Sequence, residues 1–442
     1  MIRFAPILAL IGALLAAPLG AAEVGLGQDL QTAIAGANPG DVLTLAAGVH
    51  AGPVVIDRPL TLTGAGAIID GQGRGTVVTI TGDDVTISGI TVQNSGRSSP
   101  ELDAGIKINK GADRARIEGN RIENNLHGVD VHGSRDSVVA NNVIIGLTLA
   151  RMNDRGNGVY VWNAPGTVVE GNDISLGRDG IFSNTSRKGT YRNNLIHDLR
   201  FAVHYMYTND SEVSGNISIG NHLGYAIMFS DRVQLHDNLS LWDRDYGVMM
   251  NYSNGSDVVG NLVRGAKKCT FIYNAHKNLI WGNRFEGCAI GIHFTAGSER
   301  NAISENVFLG SRNQVKYVGT KMVEWSLEGR GNYWSDHPAF DLNGDGLADS
   351  VFRPNDLMDH ILWSQPAAAA LIGSPAVQLI RWSQENFPAL LPGGVVDSHP
   401  LMAPREIAVT PEVAAMAAER ATRWDLDAVY EGEDDVNDLS SH

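Results

Sequence analysis

The sequence predicts an all-β fold, a right-handed single-stranded parallel β-helix of about 22 residues per coil, with an N-terminal capping helix and a partly helical C-terminal cap. Asparagines that open short apolar runs recur at Asn120, Asn142, Asn172, Asn194, Asn216, Asn238, Asn261, Asn283, Asn306 and Asn332, spaced by 22 or 23 residues apart from one interval of 30 and one of 26. Each unit is a set of short alternating apolar runs broken by Gly, Asn, Asp and Ser, as in "GNDISLGRDGIFSNTS", with no long helical stretch and no leucine-rich consensus. Stacked coils of this kind leave two ends to cap, and the sequence changes character at both.

The chain opens "MIRFAPILALIGALLAAPLGAAEV": Arg3 supplies the charge, Ile7 to Leu19 the apolar run and Gly20-Ala21-Ala22 a small-residue cleavage site. Residues 1–22 are therefore read as a signal peptide. An uncleaved anchor is the alternative, but the apolar run falls short of the roughly 20 residues that span a bilayer, and no later stretch is apolar for that long. The mature chain is expected to be exported. "GQDLQTAIAGANPGD" (27–41) follows, with Asp29 as N-cap and Leu30, Ala33, Ile34 and Ala37 at helical spacing, and is assigned to the N-terminal cap.

The β-helix with this cap is expected over 23–336. In it the asparagines are turn residues, since Asn tolerates the left-handed conformation and bonds a neighbouring amide. Beyond Asp336 the period stops. Pro, Trp and two helix-like runs, 367–387 and 411–424, replace it, and residues 337–404 are read as a C-terminal capping and partner-docking region. The acidic tail, 405–442, is expected to be largely disordered, because acidic and apolar-poor segments bury too little surface to fold.

A net charge of −15 argues against nucleic acid or an anionic membrane surface as partner. Cys269 and Cys288, the only two cysteines, lie 19 residues apart, close to one coil, which in an exported chain predicts a disulfide between neighbouring coils.

Aligned coils give an inward column of Ile106, Val129, Val159, Ile181, Val203, Ile227, Val248, Phe271 and Ile292. Two residues on, Ile108, Val131, Val161, Ser183, Tyr205, Phe229, Met250, Tyr273 and Phe294 form a second. The residue between them points outward: Lys107, Asp130, Tyr160, Phe182, His204, Met228, Met249, Ile272 and His293. On "FAVHYMYTND" (201–210) this puts Val203, Tyr205 and Tyr207 inside and His204, Met206 and Thr208 outside. His204, Met206, Met228 and Met249 thus gather on one outer face, as soft donors of the kind that select Cu(I). The competing reading is an apolar patch for protein docking, which Tyr160, Trp162 and Phe182 extend.

"DLNGDGLADS" places Asp341, Asn343, Asp345 and Asp349 at the first, third, fifth and ninth positions of a calcium loop, but Phe352 stands where the bidentate Glu belongs. A partial calcium loop and an Asx-rich turn both fit. Asp130 and His132 lie outward on one strand, Arg178 and Asp179 at a turn, and Asp243 to Asp245 in what reads as a solvated turn, without the paired carboxylates of a glycan-cleaving site. A glycan-binding or glycan-modifying β-helix remains an alternative.

The run from Gly331 to Pro404, including "RPNDL", "SPAVQLIRW" and "FPALLPGGVVDSHPLM", resembles the end of the NosD family. These are periplasmic accessory proteins of nitrous oxide reductase maturation, within the carbohydrate-binding and sugar-hydrolase type β-helix superfamily. The opening "PGDVLTLAAGVHAGPVVIDRPLTLTGAGAIIDGQGRGTVVTI" is similar to the same family, so the likeness covers roughly Glu23 to Pro404. It implies the exported part of an ABC-type assembly with a membrane subunit and a cytoplasmic ATPase, taking copper from the chaperone NosL toward apo nitrous oxide reductase. It implies no turnover of this chain's own, which agrees with the lack of a P-loop motif. Trp363, Trp382 and Phe387 are then candidate anchors for the membrane subunit.

Overall fold

The computed structural model describes residues 21–149, 151–295, 297–319, 321–355, 361, 374–386 and 393–422. The signal-peptide reading falls outside them except at Ala21 and Ala22, which open the first strand, Ala21–Val24.

Each coil lays down three short strands, as in Leu195–His197, Phe201–Met206 and Glu212–Ser214. Every strand pairs in parallel with its counterpart on the next coil, so the chain winds into a parallel β-solenoid with three sheets of 13, 12 and 13 strands. The first sheet runs from Ala21–Val24 to Ala302–Ser304, the second from Val54–Ile56 to Asn313–Val318, and the third from Gly48–Ala51 to Tyr333–Trp334. Between them lies one continuous apolar core. Its inward positions are mostly Val and Ile, whose branched side chains suit a pleated surface stacked rung on rung.

The asparagines form a ladder through this core. In each rung the backbone N–H and the side-chain amide donate to the next Asn Oδ1, at 3.0 and 2.9 Å from Asn194 to Asn216. A further side-chain N–H of Asn194 satisfies the Val169 carbonyl at 2.9 Å. The ladder does not end in solvent. Asp397, from the region after the solenoid, accepts the Asn332 N–H at 2.7 Å and the Trp334 indole N–H at 2.7 Å, and is itself fully buried. The 30-residue interval is a loop between Asn142 and Asn172, which carries a short 3₁₀ turn at Met152–Asp154. Cys269 and Cys288 are joined by a disulfide across neighbouring coils.

At the N-terminal end, helix α1 (Leu30–Gly36) is capped by Asp29, which accepts the Thr32 N–H at 2.7 Å, and buries Leu30 and Ile34. At the other end Trp325 and Trp334 stack on Phe308. A short parallel pair, Met322–Glu324 with Gly394–Val396, ties the C-terminal region to the last coil. The C-terminal region contributes helices α2 (Pro375–Asn386) and α3 (Pro411–Ala421) among the described residues.

Helix α3 falls within the helix-like run expected at 411–424, and Arg405 to Thr422 lies along the third sheet, where Val413 and Ala417 of α3 cover Ile219, Leu241 and Leu262. Ile407, Val409, Val413, Met416 and Ala417 form the apolar stripe that pays for its ordering. One expectation is corrected, the strand register. Val203 is partnered by Tyr225, not Ile227, and Val248 by Thr270, not Phe271. Ile227 and Ile272 occupy the second inward column where Phe229 and Tyr273 were expected.

Candidate functional site

The second sheet carries the chemistry. Its six-residue strands point their third and fifth residues into the core and their first, fourth and sixth outward. The second residue is usually glycine (Gly128, Gly180, Gly224, Gly247, Gly291), because the next coil passes too close for a side chain. A Cβ on Gly224 would lie 2.5 Å from the Gly247 carbonyl oxygen. This glycine column, rather than the apolar alternation, fixes where each strand begins.

The fourth positions stack as Asp130, Tyr160, Phe182, His204, Ala226, Met249, Phe271 and His293. Tyr160, Phe182 and His204 form a ring stack with centroid spacings of 5.3 and 4.6 Å. The sixth positions run Trp162, Asn184, Met206, Met228 and Asn251. Met206 and Met228 are therefore direct partners on adjacent rungs, with His204 two residues before Met206 on the same face. Met249 is not with them. It lies beyond Ala226, only 1% exposed, in an apolar cluster with Phe201, Leu223, Ala226 and Phe271, against which Met228 also packs. The four expected soft donors thus separate into His204, Met206 and Met228 together and Met249 buried apart.

Behind His204 stands a charge network. Asp179, at the first position one coil earlier, is 0% exposed, and Arg200 donates to both its oxygens at 2.8 Å. His204 Nδ1 lies 3.1 Å from Asp179 Oδ2. Burial alone would raise this carboxyl, but hydrogen bonds from His204 and Arg200 outweigh it and hold it below the usual carboxylate range. Three coils before His204, His127 accepts the Asn157 N–H at 3.1 Å, and burial pushes its pKa down to about 4, so it is neutral. Asp130 is buried beside Lys107, 3.4 Å away.

Sequence reasoning missed a second feature. Tyr207, Phe229 and Tyr252 follow the sixth position, at the corner of the solenoid, with φ of 54°, 49° and 50°. A left-handed residue reverses the strand's alternation, so Tyr207 is turned out, 54% exposed, while Thr208 is buried. The three rings stack at 5.3 and 5.2 Å beside Met206 and Met228. Bulky side chains are uncommon in this conformation, where other coils use Asn163 and Asn274. The Asn at equivalent turns was the available signal.

The Asp243 turn, read from sequence as solvated, is also buried. Asp243 Oδ2 accepts from the Ser218 and Ser240 hydroxyls at 2.6 Å each, and burial pushes its pKa up to about 6. In the loop expected to hold calcium, the carboxylates cap backbone amides instead: Asp341 accepts from Gly344 and Gly346, Asp345 from Leu347, and Asp349 from Leu342, at 2.6 to 2.9 Å. The donor set is that of an Asx-rich turn, and a calcium site finds no support. Among the described residues no cluster of three His, Cys, Asp or Glu side chains is placed to hold a metal ion. Trp382 lies on α2, 57% exposed, whereas Trp363 and Phe387 fall outside the described residues. No helix among the described residues is long and apolar enough to cross a membrane.

Residues 141–339 match the family described as periplasmic copper-binding protein (NosD). The chain is 41% identical over 374 residues to the "Probable ABC transporter binding protein NosD" of Pseudomonas aeruginosa, covering 81% of this chain and 87% of that one. It is 39% identical to the protein of the same name from Stutzerimonas stutzeri, covering 81% and 86%. Among solved structures, PfbA, a surface adhesin of Streptococcus pneumoniae, aligns over 69% of this chain and 87% of its own, with a TM-score of 0.51 and 10% identity, a likeness of fold alone.

Proposed function

Since this chain belongs to the NosD family of periplasmic copper-binding proteins, we propose that it is the periplasmic component of an ABC-type assembly that helps complete the copper centre of nitrous oxide reductase. In this reading it meets a membrane subunit, whose cytoplasmic ATPase hydrolyses ATP, the copper chaperone NosL and the apo-enzyme. It passes Cu(I) across the outer face of the second sheet through His204, Met206 and Met228. Copper is cargo here, and the chain performs no turnover. The observation that carries the reading is the pairing of Met206 with Met228 on adjacent rungs of the strand pair that also presents His204. Two thioethers and an imidazole form a soft donor set that holds Cu(I) in preference to hard divalent ions. The relatives are named as transporter binding proteins rather than enzymes.

Anaerobic Cu(I) titration of the mature chain against bicinchoninate tests this, with a variant in which His204, Met206 and Met228 are all Ala. Binding lost in the variant supports transfer. Equal binding by both, or none by either, refutes it.

A metal-free docking scaffold is the second reading, favoured by the stack of exposed Tyr207 and Tyr252 on half-buried Phe229, since aromatic side chains anchor interfaces. Under both readings α2 is the proposed membrane-subunit contact through Trp382. Substitution at Trp382 is the appropriate test, because truncation after Asp336 would also remove Asp397 from the end of the asparagine ladder.

A further inference from the structure

A histidine can offer one ring nitrogen as a donor atom only if the other carries the proton, and what the second nitrogen touches decides which is which. His204 has its choice made. Nδ1 lies 3.1 Å from Asp179 Oδ2, while Nε2 has no hydrogen-bond partner among the described residues. The ring cannot turn away, being stacked on Phe182 at 4.6 Å and met edge-on by Phe201 at 4.9 Å. On the next rung the small Ala226 replaces an aromatic ring, so the stack stops at His204.

Asp179 is held in turn. Arg200 binds it through two parallel bonds of 2.8 Å, and the Arg200 guanidinium lies 4.4 Å from the Phe201 ring. The carboxylate is wholly buried and cannot itself reach a ligand, and its charge is already balanced by Arg200. Along the outer face, Asp179 occupies the first-position column, His204 the fourth and Met206 the sixth. The hydrogen bond therefore draws Nδ1 toward the end of the strand away from the methionines, leaving Nε2 on the other side of the ring.

We infer that Asp179, clamped by Arg200, is a positioning residue that keeps the proton on His204 Nδ1 and presents the Nε2 lone pair, beside the sulfurs of Met206 and Met228, to a soft monovalent cation. This rests on the copper reading above and adds how the site is organised before the ion arrives. It also explains the selectivity expected of the site. With Asp179 neutralised, the three donors bring no net negative charge, so nothing offsets the large dehydration cost of a divalent ion, whereas the cost for Cu(I) is smaller and thioethers meet it.

Two measurements on the full mature chain test this. In the copper-free protein, long-range ¹H–¹⁵N correlation NMR of the His204 ring is expected to give the Nδ1–H tautomer, and the Nε2–H tautomer would overturn the inference without any variant. In Cu(I) titrations against bicinchoninate, Asp179→Asn is expected to weaken binding about 10- to 100-fold, the usual cost of losing a partner behind a ligating histidine. His204→Ala is expected to weaken it further. If His204→Ala weakens binding and Asp179→Asn, folded by circular dichroism, does not, the positioning role fails and the copper reading stands. If the unaltered chain does not bind Cu(I), or binds it as tightly after His204→Ala, the copper reading at this face fails and the inference with it.

Discussion

Replacing Asn216 by Ala tests whether the ladder holds the coils together. The Asn216 side chain takes part in four hydrogen bonds: it accepts from the Asn194 backbone N–H and side-chain amide at 3.0 and 2.9 Å, and donates to the Tyr191 carbonyl at 2.8 Å and to Asn238 Oδ1 at 3.0 Å. All are buried. At about 1 kcal/mol net for each neutral bond, and with the Asn194 donors left in a dry core, the expected loss is roughly 4 kcal/mol. Guanidinium denaturation followed by circular dichroism measures it. Asn216→Asp sharpens the test, because it preserves shape yet turns an oxygen toward the Tyr191 carbonyl and Asn238 Oδ1. At pH 7 it is expected to cost more than Ala, and the gap should close in acid as the carboxyl protonates. A loss below about 1 kcal/mol for Ala, or an Asp variant no worse than Ala at neutral pH, would refute the reasoning, because the ladder would then be ornament on a solenoid held by its apolar core alone.

Asp243 predicts a pH effect of definite sign. Its folded pKa of about 6 lies above the unfolded value, so the stability it contributes is complete below about pH 4 and is lost as pH rises through 6. The difference in stability between Asp243→Asn and the unaltered protein is therefore expected to grow by roughly 2 kcal/mol in favour of Asn between pH 4 and pH 7, measured by denaturant titration at each pH. A flat difference would mean that Asp243 stays ionised in the fold. The strap after Arg405 predicts a proteolytic effect: Val413→Asp places a charge against Ile219, Leu241 and Leu262, and should speed trypsin cleavage after Arg405 and raise binding of an apolar dye while the coils stay folded. Unchanged cleavage would show that α3 is held by its ion pairs, such as Arg420 with Asp198, rather than by apolar contact.

The solenoid was legible because its determinants are local and repeated. One asparagine per coil, in a slot where only a side chain with adjacent donor and acceptor can bridge three coils, leaves a periodic mark that survives insertions. The N-terminal helix was legible for the same reason, since Asp29 and the spacing of Leu30 and Ile34 act within one turn. The site was legible only in part. His204, Met206 and Met228 could be picked out as unusual outward residues, but their neighbours could not, because the distance from one coil to the next shifts by a residue at Asp243 and Arg244, and alternation is reversed at Tyr207, Phe229 and Tyr252. Either shift moves a side chain to another column or another face, which is how Met228 was set beside the wrong partner and Met249 brought into a site from which Ala226 separates it.

By itself, the sequence determined the repeat, the composition of the core, the two caps, the pairing of Cys269 with Cys288 and the family resemblance, since each is written either in one coil or in the spacing between two. Only the tertiary structure decided that Asp179 and Arg200 stand behind His204, that Met206 and Met228 share a rung step, that Asp397 closes a ladder 65 residues upstream at Asn332, and that a tail acidic in composition lays α3 on the third sheet. The first two relations turn on a strand register that a shift of one residue would move, and the last two join residues whose separation carries no period; the free energy that selects them is the cost of leaving a buried carboxylate, carbonyl or apolar face without a partner, which exists only once the coils have closed.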